Sequence, residues 1–250
     1  MGTALRALVT GGHKRLGRAI TLALAQAGYD VCIHYRHDRE LAETAATEVR
    51  ALGRRAAVVG GDLSDTTQLT RIIDETAKQL LGLDLVVACA ASYRATALDA
   101  TDAAHFDQVL GENARAPIDL LLHARPWLQA SGDGRAVVIG DLAGTAPYRG
   151  YLAHSMAKAA LHMGVRGLAA EWAPHILVNG VVPGAVLAPT TMAPAQWAEL
   201  QSRVPLGISA LSDPQLPVRA VVDTVLWLAK APRFITGQLV AVDGGRMARW

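Results

Sequence analysis

The chain has 250 residues, 51% of them hydrophobic, which suits one α/β sheet domain with a large buried core. Its 24 Lys and Arg balance 22 Asp and Glu to a net +2, too small a charge to argue for nucleic acid or an anionic membrane as partner. The two cysteines lie inside apolar runs, so a disulfide scaffold and a metal cluster are both excluded and no metal is expected. The start, "MGTALRALVTGG", lacks a signal-peptide profile, and "RALVTG" (6–11) reads as a buried strand. A helix over 15–28 follows, closed by Gly28, then the strand "DVCIHY" (30–35). Residues 39–53 carry apolar positions three and four apart and predict a helix; 55–62 is a third strand. Ser64 is the expected N-cap of the helix through 67–80. Further strands are expected at 84–91, 134–141, 176–184 and 238–245, with helices at 117–130 and 151–173. The stretch 185–217, rich in Pro, Ala and Thr, is the one irregular region, and a loop that long in a compact domain is a lid or binding segment.

Strands alternating with helices, with unbroken apolar strand interiors, predict a Rossmann-type doubly wound parallel sheet of seven strands covered by helices on both faces. Residues 1–250 read as one domain, with no repeat or linker. Cys32 and Cys89 are expected as buried structural thiols. No run approaches the roughly 20 apolar residues that span a bilayer, so a cytoplasmic setting is expected.

"TGGHKRLG" (10–17) joins the first strand to the first helix, where a glycine-rich turn and a helix N-terminus present N–H groups to a pyrophosphate. With Thr10, Gly11 and Gly17 the segment resembles the fingerprint of the short-chain dehydrogenase/reductase family. Arg15 stands where that family's middle glycine falls, which is similar to the pteridine reductases. The resemblance extends through "GDL" (61–63), Asn113 in "GENARAPIDLL", "NGVVPG" (179–184) and "FITGQLVAVDGG" (234–245), and more loosely to 192–206 as the substrate segment. It implies a cofactor site built from Gly11, Arg15, Leu16 and Gly17, from Asp62 and Leu63 at the adenine, from Ala90 and Ala91, and from Lys158, Pro183 and Gly184 around the nicotinamide. After the second strand, Tyr35, Arg36 and His37 occupy the place of the carboxylate an NAD site would use, and Asp38 comes late. With Arg15 and Arg36, and Lys14 or Arg18 nearby, a 2′-phosphate is favoured, so NADPH is the expected cofactor.

Two departures concern the chemistry. The family's paired asparagines after the fourth strand are replaced in "CAAS" (89–92), and the family's catalytic tyrosine is replaced in "HSMAKAAL" (154–161). Lys158 is kept, but His154 lies four residues before it, and Asp141 takes the position of the family serine, as in the pteridine reductases. Asp141, His154, Lys158 and Asn113 are therefore the candidate catalytic residues. An imidazole steered by a carboxylate can exchange a proton near neutral pH. Tyr151, one turn before His154, is an alternative proton donor, and Tyr148 a weaker one. Ser92, Tyr93, Met192 and Trp197 are candidates to contact a flat substrate. The resulting expectation is an NADPH-dependent reductase delivering a hydride to a C=N bond of a pterin-like small molecule such as dihydropterin or dihydrofolate. A ketone or 3-oxoacyl reductase is the alternative, and a catalytically impaired partner or regulatory subunit is the alternative of another kind. Apolar faces on the helices at 117–130 and 151–173, which relatives pair, lead to an expected homotetramer.

Overall fold

The structure, a computed structural model, describes residues 4–190, 192–207 and 213–248. The seven strands are β1 (Arg6–Val9), β2 (Asp30–Tyr35), β3 (Ala56–Gly60), β4 (Leu85–Ala88), β5 (Gly134–Ile139), β6 (Ile176–Pro183) and β7 (Leu239–Val242). They form one parallel sheet in the order β3-β2-β1-β4-β5-β6-β7. The helices are α1 (Arg15–Gln26), α2 (Arg39–Ala51), α3 (Thr66–Leu80), α4 (Ala103–Leu110), α5 (Ala116–Ala130), α6 (Leu152–Trp172), α7 (Pro194–Ser202) and α8 (Leu216–Leu228).

The doubly covered sheet follows from strand alternation. In β1, Ala7 and Val9 face one layer with Ile20 and Leu24 of α1, Val49 of α2 and Val221 of α8. Leu8 points the other way, into a layer with Ile72 of α3, Leu120 of α5 and Leu161 of α6. Neighbouring residues thus bury against opposite helical layers, which is why the strand is apolar throughout. Val9 pairs with Ile33 on one side and Val87 on the other, so β1 is the strand from which chain order departs in both directions. A crevice at the carboxyl ends of β1 and β4 is the geometric consequence.

Two expectations are corrected. The N-cap of α3 is Asp65, whose carboxylate accepts from the Thr67 and Gln68 N–H groups; the Ser64 N–H instead donates to Asp62. A carboxylate at this point also suits the positive end of the helix better than a hydroxyl. Second, 185–217 is not irregular throughout. Pro194 sits in the first turn of α7, where its missing N–H is tolerated, and α8 begins at Leu216. Part of that stretch lies outside the described residues.

Candidate active site

A cleft of about 450 Å³ opens at the ends of β1 and β4. Its floor is the turn after β1, where two glycines are sterically required. Gly11 has φ +63, and a Cβ on Gly17 would fall 2.2 Å from the Gly11 carbonyl oxygen. Arg15 also has positive φ, +50, so the side chain stands at a backbone position where glycine is the easier choice. Thr10 accepts from the Cys89 and Ala90 N–H groups at 2.9 and 3.0 Å. Its hydroxyl thereby ties β1 to the segment after β4, next to the missing asparagines. Gly11, Arg15, Leu16, Gly17, Arg36, His37, Asp62, Leu63, Ala90 and Ala91 all line this cleft, and so does Ser92. The first-turn N–H groups of α1 have no partner within the helix, and the turn above them carries no Cβ at Gly11. An anionic dinucleotide fits these residues.

Tyr35 departs from that set. Its ring lies over Gly60 and edge-on to His13 at 6.4 Å, lining a second depression with Arg39 and Arg71. The cause is strand alternation: His34 and Arg36 face the cleft, and the residue between them cannot. The basic groups are already paired. Lys14 binds Asp38 at 2.8 Å, holding that carboxyl below its usual range, and Arg18 pairs with Glu48 on the outer face of α1. Arg36 reaches Asp62 at 2.6 Å and Glu112 at 3.4 Å. Arg15 donates to the Ala188 carbonyl at 2.6 Å, linking the floor of the cleft to the segment after β6.

The proposed catalytic side chains converge from β5, α6 and the π-helical turn Gly111–Arg115 between α4 and α5. Asp141 caps the short turn after β5 through the Ala143 N–H at 2.8 Å, and its other oxygen lies 3.3 Å from His154 Nε2. Burial raises the Asp141 carboxyl, but the His154 contact, the Ala143 N–H and Lys158 outweigh it, so the group sits below its usual value and is ionised. His154 is 3% exposed, and its Nδ1 has no hydrogen-bond partner. Lys158, equally buried, donates to the Ile139 carbonyl at 3.1 Å; burial pulls its ammonium below the usual value against the raising effect of Asp141. Asn113 Oδ1 accepts from the Ser92 N–H at 3.1 Å, and its Nδ2 donates to the Ser92 hydroxyl at 2.9 Å. The aromatic groups also gather here: Tyr93 and Tyr151 stack with centroids 4.5 Å apart, and Tyr93 meets His154 edge-on at 5.1 Å. Tyr151 lies just outside α6 as its N-cap, with its ring 6.4 Å from His154. Tyr148 is over Arg246, and burial pushes its phenol up to about 12.

Pro183 ends β6 and Gly184 follows it, its N–H bonded to the Val242 carbonyl at 3.0 Å; neither lines the described cleft. Met192 and Trp197 lie before and within α7, both half-buried, and neither lines the described cleft. Cys32 is buried, with its thiol pushed up to about 12. Cys89 lies just past β4 on the cleft wall, pushed up to about 11 by burial, so both thiols are poor nucleophiles.

Sequence reasoning missed three histidines. His34 accepts from the Gly11 N–H at 3.3 Å and meets the Gly61 carbonyl at 2.9 Å, bracing the loop from below. His162 fills the gap between Gly140 and Gly144, where a Cβ would meet it at 2.5 and 2.7 Å, and its Nε2 is 3.5 Å from the Asp141 N–H. Burial lowers both imidazoles to about 4, so each is neutral near pH 7. His13 is buried under the loop near Asp38, at 3.6 Å. A signal existed for His162: with His154 and Lys158 it makes an i, i+4, i+8 row on one face of α6.

An open parallel sheet whose first turn carries this loop at the switch point is a Rossmann-type dinucleotide-binding domain. A family model described as enoyl-(acyl carrier protein) reductase matches residues 12–246. The short-chain dehydrogenase/reductase eriH of Hericium erinaceus is 31% identical over 246 residues, covering 96% of this chain and 97% of that protein. A crystal structure of a short chain dehydrogenase from Burkholderia cenocepacia in complex with NADP aligns with TM-score 0.84 at 33% identity, over 97% of this chain and 98% of that one. FolM alternative dihydrofolate reductase 1 from Brucella canis, complexed with NADP, aligns with TM-score 0.87 at 28% identity, over 99% and 96%. The chain belongs to the short-chain dehydrogenase/reductase family and is an oxidoreductase of that family.

Proposed function

We propose that this protein is an NADPH-dependent reductase acting on a C=N bond of a pterin-like ring, a dihydropterin or dihydrofolate. The observation that carries this reading is the 3.3 Å contact between His154 Nε2 and the Asp141 carboxylate. The ionised carboxylate accepts from the Nε2–H and orients the ring; Nδ1 delivers its proton to substrate from the imidazolium form, leaving the neutral Nε2–H tautomer to regain a proton from solvent. A ring nitrogen that gains a proton as its neighbouring carbon is reduced suits such a pair. NADPH, when bound, supplies the hydride. Gly11, Leu16 and Gly17 would hold its phosphates at the start of α1, Arg15 and Arg36 its added phosphate charge, and Lys158 its nicotinamide ribose. For Arg36 this means leaving Asp62 and Glu112 for a stronger anion. The likeness to a FolM alternative dihydrofolate reductase complexed with NADP supports both the cofactor and the substrate class.

The description of the matching family model favours a thioester-linked substrate, and the 27% identity over 241 residues to the 3-oxoacyl-[acyl-carrier-protein] reductase FabG of Staphylococcus aureus supports a second reading, reduction of a ketone or 3-oxoacyl substrate. Exposed apolar side chains on α5 (Leu122, Trp127) and α6 (Met156, Met163) support the further reading that the protein is a homotetramer.

The test is NADPH oxidation with dihydrobiopterin or dihydrofolate, against simple ketones, by the wild type, His154→Phe and Tyr151→Phe. The expected outcome is turnover of the pterin, a fall of about 10²–10⁴-fold in His154→Phe, and most activity retained in Tyr151→Phe. Loss only in the Tyr151 variant would transfer the proton to the phenol. Turnover of ketones alone would favour the second reading, and NADPH binding without any turnover would identify an impaired family member.

A further inference from the structure

His154 presents an anomaly: a nitrogen with chemistry to perform is sealed. Nε2 is engaged by Asp141, whereas Nδ1 is buried with no partner, in a side chain only 3% exposed. Buried polar atoms without partners are rare in folded proteins and call for a reason. Part of the packing around this imidazole is aromatic. Tyr93 stands edge-on to the imidazole, with planes at 90°, and is itself stacked on Tyr151 at an interplanar angle of 22°.

The two phenols are held very differently. Tyr151 is anchored by the backbone of α6: its N–H donates to Tyr148 and its carbonyl accepts from the Ser155 N–H at 2.8 Å. Tyr93 lies on the coil between β4 and the next helical turn, fastened on one side by Ser92 to Asn113 and on the other by the Thr96 N–H to the Gly150 carbonyl. Those two bonds hold the backbone on either side of Tyr93, and the ring between them is held by its stack on Tyr151. The stacked geometry of the pair is one that a flat conjugated ring reproduces, and a saturated carbon chain does not.

We propose that Tyr93 is a specificity-determining residue, a stand-in for the substrate: it packs against the His154 ring in the free protein, and a planar heteroaromatic ring displaces it to stack on Tyr151 and place a ring nitrogen at the imidazole. The inference rests on the reading that His154 delivers the proton. It adds that access to that nitrogen is conditional on the shape of the ligand. Compounds lacking a flat ring leave Tyr93 in place and His154 covered.

Diethyl pyrocarbonate, which acylates accessible imidazoles, tests the cover without relying on turnover. The full-length protein is labelled and each histidine followed by peptide mass spectrometry. The expected result is that His154 labels about ten-fold more slowly than the exposed His37, and that Tyr93→Ala speeds His154 labelling about five-fold or more while His162 stays slow. Tyr93→Leu, a milder truncation, provides a second variant should the alanine form fold poorly. Rapid His154 labelling in the wild type, or no acceleration in folded forms of either variant, overturns the proposal. In turnover, Tyr151→Leu is expected to raise KM for dihydrobiopterin about ten-fold with a smaller change in kcat, since the stacking partner is lost and the proton donor kept; an unchanged KM overturns the stacking role. A slow-labelling His154 released by Tyr93→Ala, together with unimpaired turnover in His154→Phe, would leave the cover standing and sink the proton-delivery reading, so the two failures are distinguishable.

Discussion

Replacing His34 by leucine tests the reasoning about the loop that floors the cleft. The imidazole accepts from the Gly11 N–H and meets the Gly61 carbonyl. Leucine fills similar space and serves neither group. Each buried polar group left without a partner costs about 1–3 kcal/mol, so the variant is expected to lose roughly 2–5 kcal/mol near neutral pH. That penalty should shrink on acidification. His34 sits at about 4 in the folded protein against an ordinary 6.5, because burial resists the charged ring. Between those values the unfolded chain binds a proton that the native chain refuses, so wild-type stability falls as pH drops through that window, whereas leucine has nothing to protonate. Worked through linkage, the wild type loses about 2 kcal/mol at this site between pH 7.5 and pH 5. The assay is urea unfolding of both proteins at the two pH values and one protein concentration, with midpoints converted at the measured slope. Taking the difference between the two proteins cancels other groups with lowered pKa, His162 among them. A gap that stays constant or widens on acidification would refute the account of His34 as a neutral, buried brace.

Two further outcomes follow from the same geometry. Gly17→Ala puts a methyl group against the Gly11 carbonyl, which can be relieved only by moving α1 away from the loop; NADPH affinity measured by fluorescence titration is expected to fall at least about ten-fold, even in preparations whose circular dichroism is unchanged. Asp141→Asn keeps the cap on Ala143 but removes the charge beside His154, so kcat/KM for dihydropterin should fall about 10²–10⁴-fold while NADPH affinity moves by less than about two-fold.

The sheet was easy to read because its evidence is distributed over many residues. Strand β2 runs over Asp30–Tyr35 as its apolar run implies, and Ala42, Ala45, Ala46 and Val49 mark the buried face of α2 by spacing alone. The site was legible where a motif fixes a backbone path, as at Gly11 and Gly17, or where spacing places groups on one helical face, as for His154 and Lys158. It was illegible where direction depends on one residue of register. Tyr35, Arg36 and His37 read as a cluster in sequence, yet a strand sends consecutive side chains to opposite faces and Tyr35 leaves the cleft. Pairing was equally hidden: nothing in the spacing links Lys14 to Asp38 or Arg36 to Glu112, because those partners meet only when the loops after β1 and β2 and the turn before α5 are brought together. His34 and His162 escaped notice for a related reason. His162 fills gaps beside the distant Gly140 and Gly144, and His34 serves the backbone of the distant Gly11 and Gly61, which one-dimensional patterns do not display.

The bond from the Arg15 guanidinium to the Ala188 carbonyl joins residues 173 positions apart. The floor of the crevice and the segment after β6 are thus stitched by a cation whose natural counterpart is an anion. A phosphate competing for that guanidinium would free the Ala188 carbonyl, so filling the floor of the crevice would be felt at the segment after β6 through an exchange of hydrogen-bond acceptors rather than a bending of the sheet.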